Sequence, residues 1–336
     1  MAAWLHDCGK VTTPEYVVDK ATKLETIHDR IHEVRMRFEL LKQQAETDFW
    51  QGMAEGGDPD ALARQRDRAL AGLDEDFAFV ASCNQGGEFM APELIERLQR
   101  IAGRRWRRTL DDRLGISHEE LLRRQQDAPD PLPVMEPLLA DRIHHLIPRT
   151  ALEQERFGEG NPWGFRMQVP RHLYNRGELY NLSVTRGTLS AEERFKINEH
   201  IIQTILMLSA LPFPRHLVQV PEIAGGHHEM INGRGYPRGL RGEQMSDLAR
   251  MMAIADIFEA LTAADRPYKS GKTLSQALAI MARMATDGHI DSNLFRLFLE
   301  AGVHRHYGER HLSPEQRDHV DVEALLASLP PAPGGS

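Results

Sequence analysis

Apolar residues recur along most of this chain at the three- and four-residue spacing of helices, and no run alternates apolar with polar positions. The pattern predicts an all-α fold. Residues 1–35 open with a short helix around an adjacent His6-Asp7 pair and break at Thr12-Thr13-Pro14. They then continue over YVVDKATKLETIHDRIHEVR as a second and third helix. Between 36 and 185 the texture changes: glycine and proline breaks (GGDPD, QGGEF, DAPDPLPV, GEGNPWG) separate helical stretches that suit a bundle or hairpin. From 186 to 320 the chain is regular again, and 321–336 reads as the end of a C-terminal helix followed by a disordered PPAPGGS tail.

An internal similarity links the outer parts. VVDKATKLETIHDRIHEVR (17–35) and NLSVTRGTLSAEERFKINEH (181–200) both run from a loop with a Lys or Arg, through a leucine, into a charged helix; eleven residues beyond Leu24 stands Arg35, and eleven beyond Leu189 stands His200. The stretch 36–185 is therefore an insertion that separates the His-Asp pair from the helix that would otherwise follow it.

With 336 residues, 41% of them hydrophobic, the chain can bury a substantial core. A formal charge of -8 offers no overall basic field for nucleic acid, so an anionic ligand needs a local cationic or metallic site. The basic cluster RRWRR at 104–108 is expected to be a solvated helix face, because Asp111-Asp112 and Glu119-Glu120 follow it; neither DNA nor RNA is an expected partner. Cys8 and Cys83 lack CxxC spacing, which argues against a disulfide framework and fits a cytoplasmic location. No segment reads as a membrane span.

Sixteen histidines direct attention to metal ligation. On a helix, adjacent residues point about 100° apart, so a ligand pair at i and i+1 flanks one ion or reaches two. Two such pairs, His6-Asp7 and His227-His228, suggest a multinuclear centre. Nitrogen and carboxylate donors suit iron, manganese or zinc. In HDxGK the glycine is read as ending a helix, with Lys10 delivered where a phosphate could sit. His200, on an apolar helix, taken alone reads as a buried histidine bonded to a backbone carbonyl. His227-His228, with Glu229 alongside, reads as a metal pair or a polar turn. Asp256 lies in apolar MMAIADIFEALTA, where a carboxylate is costly unless paired or bound to metal. NGRGYP (232–237) is a tight turn: Asn232-Gly233 favours positive φ, Gly235 permits close approach and Pro237 stiffens the exit.

Together, HDCGK (6–10), EHIIQTILML (199–208), HHEMINGRGYPRGLRGEQM (227–245) and ARMMAIADIFEALTAADRPYK (249–269) resemble the HD-GYP family, the branch of the HD metal-dependent phosphohydrolases that degrades cyclic di-GMP. The resemblance covers 1–35 and about 186–300. It implies an HD-type helical bundle interrupted by the insertion, with His6, Asp7, His200, His227, His228 and Asp256 as ligands to two or three iron or manganese ions. It implies that Asp7, Lys10, His227 and His228 act in catalysis, Asp7 as the bridge, and that Lys10, Gly235, Tyr236, Pro237, Arg266 and Lys269 contact the substrate. Cyclic di-GMP, opened to pGpG or GMP, is the implied partner in bacterial second-messenger signalling. The family pattern has a further ligand-bearing helix ahead of the His-Asp pair, so a truncated start is expected. A catalytically silent binding module and a generic HD nucleotide phosphohydrolase are the competing readings. The insertion is a candidate for homodimer or signalling-partner contact.

Overall fold

The computed structural model describes residues 1–125, 128–157, 160–263 and 271–331. The described chain is predominantly helical, as the apolar spacing predicts. It forms two compact units, each discontinuous in sequence: one of 1–13, 152–169 and 198–336, the other of 14–151 and 170–197. The sequence-read boundaries at 35 and 186 differ from these. Residues 14–35 fold with most of the insertion, while 152–169 of the insertion fold with the unit that holds the His-Asp pair. Arg266 and Lys269 lie outside the described residues, as do 332–336 of the tail.

The second unit is organised by two long helices, Ile31–Ala54 and Pro59–Gln85, packed as an antiparallel hairpin. The turn between them uses Gly56 at φ 82°, and the Asp58 side chain caps the second helix by accepting from the Asp60 N–H at 3.1 Å. Leu24, Val34, Phe38, Val80, Leu98, Leu138 and Leu182 form the core at the base of this hairpin. The two internally similar stretches meet here: Lys20 Nζ contacts Glu193 Oε1 at 2.7 Å, and the Thr188 hydroxyl donates to the Lys20 carbonyl at 3.2 Å. Only Glu15–Val18 and the helix from Ile31 are helical in the stretch expected to hold two full helices. The chain between them is held by side chains instead, with the Leu24 N–H donating to Asn84 Oδ1 at 2.8 Å.

RRWRR is not a helix face. Arg105–Arg108 is a strand, antiparallel to Val134–Pro137, with Trp106 opposite Glu136 and Arg108 opposite Val134. Arg105 and Arg107 face solvent while Trp106 and Arg108 are half-buried, and Arg108 pairs with Glu136. Four residues are too few to distinguish strand alternation from a charged helix by pattern alone. A second short ladder joins Leu146–Pro148 to His172–Asn175. Glu178, buried, receives both Arg37 guanidinium nitrogens at 2.8 Å. Burial alone would raise the Glu178 carboxyl, yet the Arg37 fork holds it below the ordinary glutamate value.

In the first unit, the helices Asp247–Thr262, Leu274–Thr286 and Ser292–Glu300 enclose Ile254, Phe258, Leu278, Met281, Phe295 and Leu299. The C-terminal helix, Val322–Ser328, packs on the same cluster through Leu325 and Leu326. Among the described residues, no helix is long and apolar enough to cross a membrane. The start of the chain lies against the helix His200–Ser209. Here Gly9 corrects the sequence reading: it does not end a helix but sits inside a 3-10 turn, Cys8–Thr12. Its N–H donates to Thr204 Oγ1 at 2.9 Å, and a Cβ there would come within 2.0 Å of the His200 carbonyl oxygen.

Two outcomes follow from this packing. Gly9→Ala should lower stability by about 1–3 kcal/mol, because the new methyl meets backbone that cannot rotate away; thermal unfolding followed by circular dichroism reads this directly. Arg37→Ala should cost about 3–5 kcal/mol by stranding the buried Glu178 carboxylate. Because the carboxyl's folded pKa is depressed, the pair's contribution is full above the ordinary value of 4.5 and disappears as pH falls through the lowered value. The stability difference between native chain and variant should therefore shrink in acid, as denaturant titrations at several pH values would show.

Candidate metal centre and the NGRGYP loop

His6 follows the short helix Ala2–Leu5, and Asp7 precedes the Cys8–Thr12 turn, so the pair sits at a break between two helical segments. His6 Nδ1 donates to the Ala3 carbonyl at 2.8 Å, which aims Nε2 inward. That nitrogen lies 3.3 Å from Asp7 Oδ2 and 3.3 Å from Asp256 Oδ1. The other oxygen, Asp7 Oδ1, lies 3.1 Å from His200 Nε2 and 3.9 Å from His227 Nε2. His228 Nε2 is 3.2 Å from His200 Nε2. The structure thus brings together all six residues singled out as ligands. They fall into two overlapping groups, Asp7 with His200, His227 and His228, and His6 with Asp7 and Asp256, each with its donor atoms within 4.8 Å of one another. Asp7 is common to both.

These groups fit divalent cations. His227 Nδ1 donates to the Ala224 carbonyl at 2.6 Å, leaving the Nε2 lone pair directed into the centre. His227 Nε2 and Asp7 Oδ1 are buried, and neither makes a hydrogen bond of acceptable geometry. Two such atoms side by side are costly in a folded protein unless something else satisfies them, and a cation does so. All donors are imidazole nitrogens or carboxylate oxygens; Cys8 is not among them. His200 is buried, as its apolar helix suggests, and its Nε2 faces Asp7 and His228.

Charge is distributed unevenly across the centre. Hydrogen bonds to Asp256 and then Asp7 raise the His6 imidazolium to about 10. Burial would raise the Asp7 carboxyl, but His200, His6 and Lys10 together hold it far below the carboxylate range. Burial lowers His227, and burial with two neighbouring imidazoles takes His228 down to about 3. His227 and His228, held neutral beside ionised carboxylates, are in the protonation state that metal ligation requires, whereas His6 has to give up its proton before its Nε2 can act as a ligand. Lys10 Nζ contacts Asp7 Oδ2 at 2.6 Å and is half exposed, so its ammonium lies at the open side of the pair.

The NGRGYP turn follows directly from the histidine pair. Gly233 takes φ 78° as expected, and a Cβ on Gly235 would lie 2.2 Å from the Met230 nitrogen, so the loop closes only with glycine there. Tyr236 donates its N–H to the His228 carbonyl at 3.1 Å and stacks its ring on the His228 imidazole, with centroids 4.8 Å apart and planes at 22°. Burial raises its phenol well above the ordinary tyrosine value, so it stays protonated at neutral pH. The bond to Pro237 is cis.

Sequence reasoning missed what holds this loop. Glu229, which stands alongside the histidine pair, belongs to neither donor group. Buried, it accepts the Arg238 N–H at 2.7 Å and the Leu240 N–H at 2.8 Å, closing the turn on itself. A strap from the insertion covers the far side: the Arg166 N–H donates to the Pro237 carbonyl at 2.7 Å, and Arg238 Nε donates to the Trp163 carbonyl at 3.0 Å. The signal for the strap was the GEGNPWG break, which reads only as a loop without its partner.

Comparison with known proteins accords with this geometry. An HD domain family profile matches residues 133–294, a span that includes His200, His227, His228 and Asp256 but not His6 and Asp7. The chain is 34% identical over 180 residues to a cyclic di-GMP phosphodiesterase of Pseudomonas aeruginosa, covering 54% of this chain and 36% of that protein. It is 33% identical over 141 residues to 3'3'-cGAMP-specific phosphodiesterase 1 of Vibrio cholerae, covering 39% and 32% respectively. A cyclic di-GMP phosphodiesterase of Thermotoga maritima is 37% identical over 141 residues, covering 41% and 37%. The matches span about a third of the length of these curated relatives.

Glu229→Ala should free the Arg238 and Leu240 amides. Hydrogen exchange across 232–240 is expected to quicken about tenfold or more, in line with the loss of about 1–3 kcal/mol of buried hydrogen bonding. Metal content should stay unchanged, because Glu229 lies outside both donor groups.

Proposed function

We propose that the chain, residues 133–294 of which match an HD domain, is a metal-dependent phosphodiesterase of the HD-GYP type that opens cyclic di-GMP to pGpG or GMP. The observation that carries the reading is the sharing of Asp7 between two nitrogen and oxygen donor groups, directly beside a loop whose tyrosine stacks on one of the histidines. A cyclic dinucleotide has two phosphodiesters and two purines, and this arrangement offers an anion-neutralising centre next to an apolar, stackable edge.

Two divalent ions, iron or manganese, match the two groups. His6 and Asp256 would hold one, His200, His227 and His228 the other, with Asp7 between them. Such ions supply an acidified water at neutral pH and neutralise charge on the phosphodiester oxygens. The chain's own residues do the rest. Ala3 and Ala224 carbonyls keep His6 and His227 turned so that Nε2 faces inward. Lys10, poised on Asp7 at the open side, can reorient toward a phosphate without leaving the pair. The protonated Tyr236 phenol is a hydrogen-bond donor beside the histidine pair. Glu229 and the 161–166 strap keep that loop closed while substrate exchanges.

A second substrate is favoured by the relatives themselves, some of which are named for 3'3'-cGAMP. The two differ only in one purine, so stacking alone separates them poorly.

The chain loaded anaerobically with iron(II) or manganese(II) should convert cyclic di-GMP to a linear product resolved by chromatography, with 3'3'-cGAMP and a nucleoside triphosphate run beside it. Asp7→Asn should lose more than one equivalent of bound metal and at least about 100-fold in rate, since it touches both groups; His227→Ala should lose about one equivalent. Metal bound without turnover of either cyclic dinucleotide would leave a silent binding module. Hydrolysis of the triphosphate alone would indicate a generic nucleotide phosphohydrolase.

A further inference from the structure

The strap that crosses the NGRGYP loop carries an aromatic pair. Asn161 fixes its backbone: the side-chain oxygen accepts the Trp163 and Phe165 N–H groups at 3.2 and 3.0 Å, and the side-chain amide donates to the Phe165 carbonyl at 2.9 Å. Gly164, at φ 70°, lets the chain turn between the two aromatic residues. Their rings lie 10° from parallel with centroids 6.4 Å apart. Phe165 is buried, with the Arg238 guanidinium 6.0 Å from its ring centre, whereas Trp163 is only partly buried. The strap is joined to the loop at two successive residues, Pro237 through the Arg166 N–H and Arg238 through the Trp163 carbonyl. Burial accounts for Phe165 as the anchor. Trp163 remains as an indole with accessible surface, held on a constrained turn beside the metal candidates' own loop.

We propose that Trp163 stacks on one purine of the cyclic dinucleotide while a phosphodiester of that molecule lies on the metal centre. The inference rests on the function proposed above and names a substrate contact that the insertion supplies. Three observations carry it. A cyclic dinucleotide has two purines, and the aromatic residue of the loop is already engaged: Tyr236 lies with its ring 4.8 Å from the His228 imidazole, 22° from parallel, so one of its faces is taken. The next aromatic side chain along that edge is Trp163, bonded through its carbonyl to Arg238, two residues beyond Tyr236. Two residues of chain span about 7 Å, comparable to the sugar that separates a base from its phosphate. Finally, the platform is already ordered. Asn161 holds the turn, Phe165 anchors it and Arg238 ties it to the loop, so little freedom remains to be lost when a flat ring settles on the indole. Stacking accepts guanine and adenine alike, so this contact sets affinity for a purine dinucleotide and not the choice between the two bases.

The test uses the full, metal-loaded chain with two substrates, cyclic di-GMP and bis(4-nitrophenyl) phosphate, a phosphodiester that carries no purine. Trp163→Ala should raise KM for cyclic di-GMP about tenfold or more with kcat little changed, and should leave hydrolysis of bis(4-nitrophenyl) phosphate as in the native chain. Trp163→Phe, which keeps a ring on the strap, should restore KM to within about threefold of native. Calorimetric titration with cyclic di-GMP reads the same contact without turnover: Trp163→Ala should weaken binding by the same factor. A variant that binds cyclic di-GMP as tightly as the native chain overturns the stacking contact alone and leaves the proposed function standing. Equal slowing of both substrates by Trp163→Ala, unrelieved by Trp163→Phe, would show the tryptophan only bracing the loop and overturns the contact likewise. A native chain that hydrolyses bis(4-nitrophenyl) phosphate but neither binds nor opens cyclic di-GMP overturns the proposed function, and the contact with it.

Discussion

The Asp7 carboxylate is the group around which the first unit is arranged. One oxygen faces His200 and His227, the other His6 and Lys10, so a single acidic side chain touches both donor groups. An ionised carboxylate half withdrawn from water is costly unless positive charge or donors surround it. The histidines and the lysine meet that requirement, and the price of holding so many donors together falls on the backbone near them. Gly9 allows the turn after Asp7 to approach the His200 helix with no intervening side chain. Ala3 and Ala224 carbonyls fix two ring orientations. Each of these is a positional demand on an otherwise ordinary residue.

The NGRGYP loop obeys the same logic at one remove. A turn that brings Tyr236 back over His228 has to satisfy its own backbone amides, and Glu229 does so from inside the turn. Burial lifts the Glu229 carboxyl, while the three backbone amides of 238–240 pull it down; burial prevails. The carboxylate contacts here are structural, although the residue adjoins a histidine pair. The loop is also tied to the rest of its unit, since the Asn232 and Ile231 amides donate to the Gly288 and His289 carbonyls beyond the helix Leu274–Thr286.

The insertion is not a passive loop excursion. Most of it forms a unit with its own core and its own ion pairs, while a short piece, 152–169, is given back to the unit that bears the metal candidates. That division lets its 161–166 segment lie along the NGRGYP loop, far from it in sequence.

The helical character of the fold, the two adjacent donor pairs and the tight turn at NGRGYP were legible in the sequence, because helix periodicity, paired donors and glycine requirements are local properties; His200 joined the candidates only through the family resemblance. Asp256 was legible for a related reason: a carboxylate in an apolar helix advertises its own desolvation. Tertiary structure decided what local pattern could not carry. It turned Gly9 from a helix end into a contact point, assigned residues 14–35 to the second unit, and made a strand of Arg105–Arg108, whose four residues are too short to show a period. It separated Glu229 from the ligands beside it, since neighbours in sequence can point to different partners. Which atoms face one another across 190 residues of intervening chain depends on packing, and packing is a property of the whole unit rather than of any window along the chain.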